Sequence, residues 1–237
     1  MSTYLLCIPT YNEAENIVDI LTRVLALAID DLEVLVIDDA SPDGTANLAA
    51  GIGSERIHIL HRSKKEGLGP AYLAGFAWGL DRGFDYLIEM DADGSHQPEE
   101  LPRLLAASRD ADLVLGTRWI PGGRVVNWPL YRRAISRLGT FYAEISLKLP
   151  YKDLTGGYRV LSRKLLESID LADIQTLGYG FQIEIAMRAH DSGLVITEVP
   201  ISFIERTKGA SKMNRAIVLE ALVKTTRWGF TRWFNRR

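Results

Sequence analysis

The sequence predicts an α/β protein built on a mainly parallel sheet with helices on both faces. Two observations predict it. Short apolar runs recur at Tyr4–Ile8, Asp31–Asp39, Ile57–Leu60, Tyr86–Met90 and Leu113–Thr117, each bounded by turn-forming residues. Segments with apolar positions at helical spacing alternate with them, and that alternation is the mark of a doubly wound sheet with right-handed crossovers. Three strand ends then carry polar groups, Tyr11/Glu13, Asp38/Asp39 and Asp91/Asp93, all opening on the edge where such sheets bind ligands.

Taken in order, Tyr4–Ile8 is the first strand, left by the loop Pro9-Thr-Tyr-Asn-Glu. Residues 13–28 follow as a helix on Ile17, Ile20, Leu21, Val24 and Leu27. Asp31–Asp39 is nearly continuous in apolar residues, as suits a strand covered on both faces. Its end, Asp38-Asp-Ala-Ser-Pro-Asp-Gly-Thr, is rich in turn formers, with Asp43 placed to cap the helix over 45–52. The third strand, Ile57–Leu60, runs into a basic glycine-bearing loop, His61–Gly69, and a helix over Pro70–Arg82. Tyr86–Met90 delivers Asp91-Ala-Asp at its end, Gly94-Ser95 turns the chain, and Pro98-Glu-Glu opens a helix. Beyond Leu113–Thr117 the pattern loosens. Ile120–Trp128 is expected to be a loop, mobile through Gly122-Gly123, and Tyr131–Leu149 a helix. The polar loop Asp153–Arg159 leads to a strand at Val160-Leu161, then helices over Lys164–Ile169 and Tyr179–Ser192. One strand, Val195–Phe203, comes next, and an amphipathic helix fills 214–235. The domain division expected is a catalytic body over 1–212 and a basic tail over 213–237.

Composition narrows the function. Of 237 residues 47% are hydrophobic and 24% charged, a globular profile with no run near the ~20 apolar residues that span a bilayer. The N-terminus lacks the basic start of a signal peptide, so a cytoplasmic location is expected. The single cysteine, Cys7, excludes an internal disulfide and reads as a buried hydrophobe. Net charge is −2, yet Lys208–Arg237 holds eight basic residues and one acid, leaving −9 on residues 1–207. A basic tail on an acidic body implies an anionic partner. Neither G-x-G-x-x-G after the first strand nor G-x-x-x-x-G-K-[ST] is present, which counts against dinucleotide oxidoreductases and P-loop enzymes.

The Asp91-Ala-Asp93 step is where the chemistry gathers. Alternate residues of an extended chain face the same way, so both carboxylates can meet one cation while Ala92 faces the wall. Two adjacent carboxylates repel unless a cation sits between them, and oxygen ligands select Mg²⁺ or Mn²⁺ bridging to a diphosphate.

Several motifs together resemble the family-two glycosyltransferases of the Rossmann-like GT-A fold, and more closely the dolichol- or polyprenol-phosphate mannose synthases. They are Pro9-Thr-Tyr-Asn-Glu13, Ile37-Asp-Asp-Ala-Ser-Pro-Asp-Gly-Thr45, Gly67-Leu-Gly-Pro-Ala71, Met90-Asp-Ala-Asp-Gly-Ser-His96, Gly116-Thr-Arg118 and Glu205-Arg-Thr-Lys-Gly-Ala-Ser-Lys212, in order along the chain. The resemblance implies an inverting, metal-dependent transfer of mannose from GDP-mannose to a polyprenyl or dolichyl phosphate. Glucose from UDP-glucose and a non-catalytic nucleotide-sugar-binding module are the alternatives. Carried over residue by residue, Pro9, Tyr11, Glu13, Ile37 and Asp39 would frame base and ribose. Asp91 and Asp93 would hold Mg²⁺ or Mn²⁺, with Ala92 lining the pocket. Arg118, Arg206 and Lys212 would grip the donor, Asp93, Arg118 and Arg206 being catalytic. Ser95 stands where some relatives place a Gln near the ion.

An acceptor that is already a phosphate anion needs no general base; it needs cations to join two negative reactants. Arg132 or Arg133, with Ser136 one turn on, would take the acceptor phosphate. Asp153 resembles a family position near the acceptor, with Glu184 as its neighbour, and Arg206–Lys212 looks like a lid over the diphosphate. Arg118→Ala is expected to lose transfer with the fold kept. The helix over 131–149 and the tail carry aromatic and aliphatic residues among Lys and Arg, suiting the cytoplasmic face of an anionic membrane. Some relatives add membrane-spanning segments or recruit a membrane partner, so a separate membrane subunit or domain is compatible. Nucleic acid is not expected as a partner, because it would leave Asp91, Asp93 and Arg118 without a role.

Overall fold

The computed structural model describes residues 2–174, 176, 178, 180–206, 208 and 215–234. Its centre is a seven-stranded sheet. The elements run β1 (Tyr4–Thr10), α1 (Ile17–Leu25), β2 (Leu32–Asp38), α2 (Thr45–Ala50), β3 (Ile57–His61), α3 (Leu68–Asp81), β4 (Tyr86–Glu89), α4 (Leu101–Ala107) and β5 (Leu113–Thr117). Then come β6 (Arg124–Val126), α5 (Leu130–Leu147), β7 (Arg159–Ser162), α6 (Arg163–Ser168), α7 (Gly180–Asp191), β8 (Ile196–Pro200), β9 (Ser202–Ile204) and α8 (Arg215–Phe234). The strand order is β3-β2-β1-β4-β7-β5-β8, parallel except for β7, with β6 and β9 forming a second, two-stranded sheet.

The core forms two layers because the strands are apolar on both sides. Leu5, Cys7, Leu35, Ile37 and Leu87 pack on α3 and α7, while Leu6, Ile8, Val34, Val36 and Ile88 pack on α1 and α4. Helix α1 turns Ile17, Ile20, Leu21 and Val24 inward, each worth roughly 1.5–3 kcal/mol. Burial also drives the Cys7 thiol well above its ordinary pKa, and Glu89 adds to it, which leaves Cys7 no reactive role.

Two expectations change in the second half, and one strand takes a direction that the sequence left open. The strand at Val160-Leu161 does form, but it runs antiparallel between β4 and β5. The loop before it is tied to the carboxyl edge of the sheet, where Arg118 N–H donates to Asp153 at 3.0 Å, so the chain can only run back down. The run Val195–Phe203 is two strands rather than one. It divides at Pro200-Ile201, where Ile201 N–H bonds Thr117 O, so β8 lies beside β5 and β9 beside β6. The stretch over 120–128 is not a free loop: β6 pairs parallel with β9 from Arg124↔Ser202 to Val126↔Ile204. Gly123 makes that turn. A Cβ there would lie 2.6 Å from Thr117 O and 2.8 Å from the Arg118 carbonyl, too close for any other residue.

Helix α8 docks on the body instead of trailing from it. Gly229 lets it approach α5, since a Cβ there would meet Ser146 O at 2.8 Å. Trp233 Nε1 donates to that same carbonyl at 3.2 Å, and Arg232 pairs with Asp191 of α7.

Candidate active site

The carboxyl ends of β1, β2 and β4 build one polar cleft. Two loops form its first wall, and hydrogen bonds between them fix their spacing: Asn12 N–H to Ser41 Oγ (3.0 Å), Glu13 N–H to Thr45 Oγ1 (2.9 Å), Ala14 N–H to Asp43 (3.0 Å) and Asp39 N–H to Thr10 O (3.0 Å). Asp43 also accepts from the Thr45 N–H and hydroxyl, so it closes the turn before α2, while Gly44 takes the helix N-cap position in its place. Asn12 and Ala40 sit at φ +55° and +57°, in the left-handed region, where side chains other than glycine are uncommon. Each stands at the crossing of the two loops.

Pro9, Tyr11, Glu13 and Asp39 all lie on this wall. The Lys65 ammonium sits 4.2 Å from the centre of the Tyr11 ring, and Asn16 donates to Glu13 at 2.9 Å. Asp39 meets Arg62 at 2.6 Å, and burial, outweighing that arginine, raises its pKa above the ordinary carboxylate value. Arg62, from the loop after β3, is a wall residue that no sequence motif singled out. The Ile37 and Ala92 side chains are buried in the core, Ile37 against α3 and Ala92 with Ile88 and Met90.

Asp91 and Asp93 follow β4 as expected. The Ser95 N–H donates to Asp93 at 2.9 Å, and the Asp91 N–H donates to His96 Nδ1 at 3.1 Å. His96 must therefore carry its proton on Nε2, and burial lowers its pKa to about 4, so the ring is neutral. Burial and the Asp93 charge raise Asp91. Asp93 goes the other way: burial opposes it, but Arg206 at 2.7 Å and the Ser95 N–H hold it ionised.

The pair fits a divalent cation. Two hard carboxylates share one turn, their pKa values are split as adjacent acids require, and the buried Ser95 Oγ has no hydrogen-bond partner among the described residues. Those residues contain no cluster of three or more His, Cys, Asp or Glu ligands. A bound ion would need further oxygens from a diphosphate or from water.

Arg206 reaches Asp93 because the small sheet brings it there. Ile204 N–H bonds Ser95 O and Glu205 N–H bonds Val126 O, each at 3.0 Å, so β9 is stitched to both the Asp-x-Asp turn and β6. Glu205 then pairs with Arg132, which also lies 4.3 Å from the Trp128 ring centre. This settles which arginine faces the cleft: Arg132 does, while its neighbour Arg133 is solvent-exposed on α5. Ser136 follows one turn on, half-buried. Lys212 and most of the segment read as a lid lie outside the described residues.

Arg118 is less available than expected. Its guanidinium holds Asp153 through two bonds of 2.7 Å and reaches Thr155 at 3.1 Å. Asp153 is fully buried, and against the penalty of burial Arg118 lowers its pKa below the ordinary carboxylate value. Trp119, Trp128 and Phe203 ring the arginine at 5.3–5.7 Å. Glu184, weighed as a neighbour of Asp153, instead accepts from Thr176 at 2.9 Å and Arg188 at 2.7 Å, a pairing that ties α7 to the chain before it.

Behind the cleft, Glu89 is fully buried 4.0 Å from Arg159, and burial raises its pKa to about 7 despite that arginine. A sign of it was legible, a lone acid inside the apolar run Tyr86–Met90. Glu89 and Asp91 both have folded values above their unfolded ones. The stability tied to them is present below pH ~4 and is lost as pH rises through the folded values. Metal-free protein is expected to melt at progressively lower temperature from pH 5 to pH 8.5, with Mn²⁺ restoring more at the alkaline end. A flat melting curve over that window would contradict the burial of both acids.

Comparison with known proteins follows from this geometry. Residues 5–170 match the profile of "Glycosyl transferase family 2". An undecaprenyl-phosphate mannosyltransferase of Micrococcus luteus is 53% identical over 233 residues, covering 97% of this chain and 96% of that protein. A polyprenol monophosphomannose synthase of Mycolicibacterium smegmatis is 48% identical over 229 residues, covering 95% and 86%. Among solved structures, glucosyl-3-phosphoglycerate synthase of Mycobacterium tuberculosis, in complex with Mn²⁺ and UDP-glucose, superposes with a TM-score of 0.70 at 20% identity, covering 95% of this chain and 79% of that one. That likeness speaks for the fold.

Proposed function

Because the chain belongs to glycosyl transferase family 2, we propose that this cleft transfers mannose from GDP-mannose to a polyprenyl phosphate, with inversion and with a divalent cation at Asp91 and Asp93. The protein is a glycosyltransferase, and two near-full-length relatives bear the names of polyprenyl-phosphate mannose synthases. Their likeness supports acceptor and sugar; the guanine nucleotide and the metal are inferred here.

One observation carries the mechanism. Three arginines, Arg118, Arg132 and Arg206, are each held by a carboxylate, Arg206 by Asp93 itself. Such a cleft suits two anionic reactants. A phosphate oxygen of the acceptor attacks the anomeric carbon, and the bond from that carbon to the donor diphosphate breaks on the opposite face. No proton has to move, so no general base is required. When bound, the cation would neutralise the departing diphosphate. Arg206 would exchange Asp93 for a diphosphate oxygen as the cation takes the carboxylate. Arg132 would exchange Glu205 for the acceptor phosphate, with the Ser136 hydroxyl beside it. Glu205 and Arg206 are adjacent on one stitched segment, so the two exchanges are mechanically joined.

The acceptor's chain lies at a membrane. No described helix is long and apolar enough to cross one. Helices α5 and α8 nevertheless expose Leu130, Tyr131, Ile135, Leu138 and Ile145 together with Leu219, Val223, Phe230 and Trp233. These exposed apolar side chains, with the exposed Arg133 and Arg137 among them on α5, support docking on an anionic leaflet. Incubation with radiolabelled GDP-mannose or UDP-glucose and a short polyprenyl phosphate tests the reading. Organic-extractable mannosyl product that needs Mg²⁺ or Mn²⁺ is expected. Preferred use of UDP-glucose, or transfer undiminished by chelator, would overturn it.

A further inference from the structure

Beside α5, away from the aspartate pair, a cavity of about 210 Å³ is lined by Trp119, Arg137, Thr140, Phe141, Glu144 and Lys152. We propose that it holds the phosphate of an anionic membrane phospholipid, a site separate from the one that takes the acceptor. The inference deepens the membrane part of the proposed function and rests on it.

Unmet hydrogen bonding is the first ground. Thr140 is only 4% exposed, and its Oγ1 has no hydrogen-bond partner among the described residues; the enclosed Trp119 Nε1 has none either. A helical threonine ordinarily back-bonds to the preceding turn, and this one does not. An indole N–H can only donate, so the missing ligand atom is an acceptor, which excludes a cation.

Charge points the same way. Lys152 pairs with Glu144, while the Arg137 guanidinium lies 5.5 Å from the Trp119 ring centre. The lining therefore keeps a net positive charge beside two unpartnered donors, the complement of a phosphate oxygen cluster.

The surroundings select a lipid over a soluble ester. Phe141, a cavity wall, is 57% exposed and begins the apolar side of α5 that continues through Leu138 and Ile145. A headgroup in the cavity leaves its acyl chains against that side. The contacts run Arg132, Trp128, Trp119, Arg137, so two indoles separate this cavity from the cleft.

Thr140→Val is the decisive variant, because it keeps shape and charge and removes only the hydroxyl. Binding of the full chain to phosphatidylcholine vesicles, with and without roughly one-third phosphatidylglycerol, is measured by flotation. Thr140→Val is expected to weaken binding to the phosphatidylglycerol vesicles by about fivefold or more, while its melting temperature stays level or rises, since an unmet buried hydroxyl is lost. Arg137→Gln should weaken the same binding, and Arg109→Gln, a charge-matched change at the opposite end of the sheet, should alter it less than about twofold. Native-like vesicle binding by Thr140→Val, or weaker binding accompanied by a lower melting temperature, overturns the proposal. So does a shift of the Trp119 indole resonance as large with glycerol phosphate alone as with the vesicles, which would assign the cavity to a soluble ester. Mannosyl transfer to a short acceptor in detergent is read in parallel. Thr140→Val should retain it, and its absence from the native protein would count against the transferase reading, not against this site.

Discussion

Arg118→Ala, read from the sequence as sparing the fold, is expected instead to destabilise the protein by about 3–5 kcal/mol as well as to abolish transfer. The reason is its partner. Asp153 is fully buried and ionised because Arg118 holds it bidentately and donates its own backbone N–H to it. Truncation would leave that charge inside the protein, with Arg159 as the remaining nearby cation. Denaturant titration measures the loss. The double variant Arg118→Ala/Asp153→Ala should recover a good part of the stability and none of the activity, since it removes the stranded charge without restoring a cation to the cleft. A single variant within ~1 kcal/mol of native would show that the pair contributes little to the fold. Activity alone would be misleading here, because a partly unfolded enzyme and an intact one lacking a phosphate ligand both read as inactive.

Asp93→Ala should separate those two failures. Asp93 is itself buried, but Arg206, its partner, keeps 19% of its side-chain exposure, so solvent can take over that guanidinium. Little stability should be lost. Metal-supported GDP binding and transfer should fall by at least about 100-fold, because the carboxylate that stays ionised is gone and Asp91, raised by burial, is a poor ligand alone. Calorimetry adds a signed readout. Cation binding to the native protein below neutral pH should release protons from the aspartate pair, since ligand oxygens must be deprotonated. Asp93→Ala should lose both the heat and the proton release. GDP binding that persists undiminished in chelator would remove the metal from the account.

How much was legible can be judged from particular residues. Asp91 and Asp93 declared themselves because a buried strand ending in two acids has few structural uses. Asp39 and Glu13 came from the same pattern at neighbouring strand ends. Arg132 and Arg133 could not be told apart, since adjacent helix positions differ by about 100° and only packing says which faces inward. Ile37 and Ala92 were assigned by position within a motif, and both side chains are buried in the core. The partners of Arg62 and Glu205 carried no local signal: Asp39 lies 23 positions from Arg62 and Arg132 lies 73 from Glu205.

What the sequence determined by itself was therefore local: apolar period and turn chemistry set the strands, the helices and the acids at their ends. The tertiary structure decided direction and partnership. It set β7 antiparallel, made a second sheet from an apparent loop and half of an apparent strand, and assigned every cleft arginine its carboxylate. The physical reason is range. Backbone propensity and side-chain period act over a few residues, whereas a buried charge is satisfied by whichever opposite charge the folded chain brings within hydrogen-bonding distance, and no window of sequence contains both.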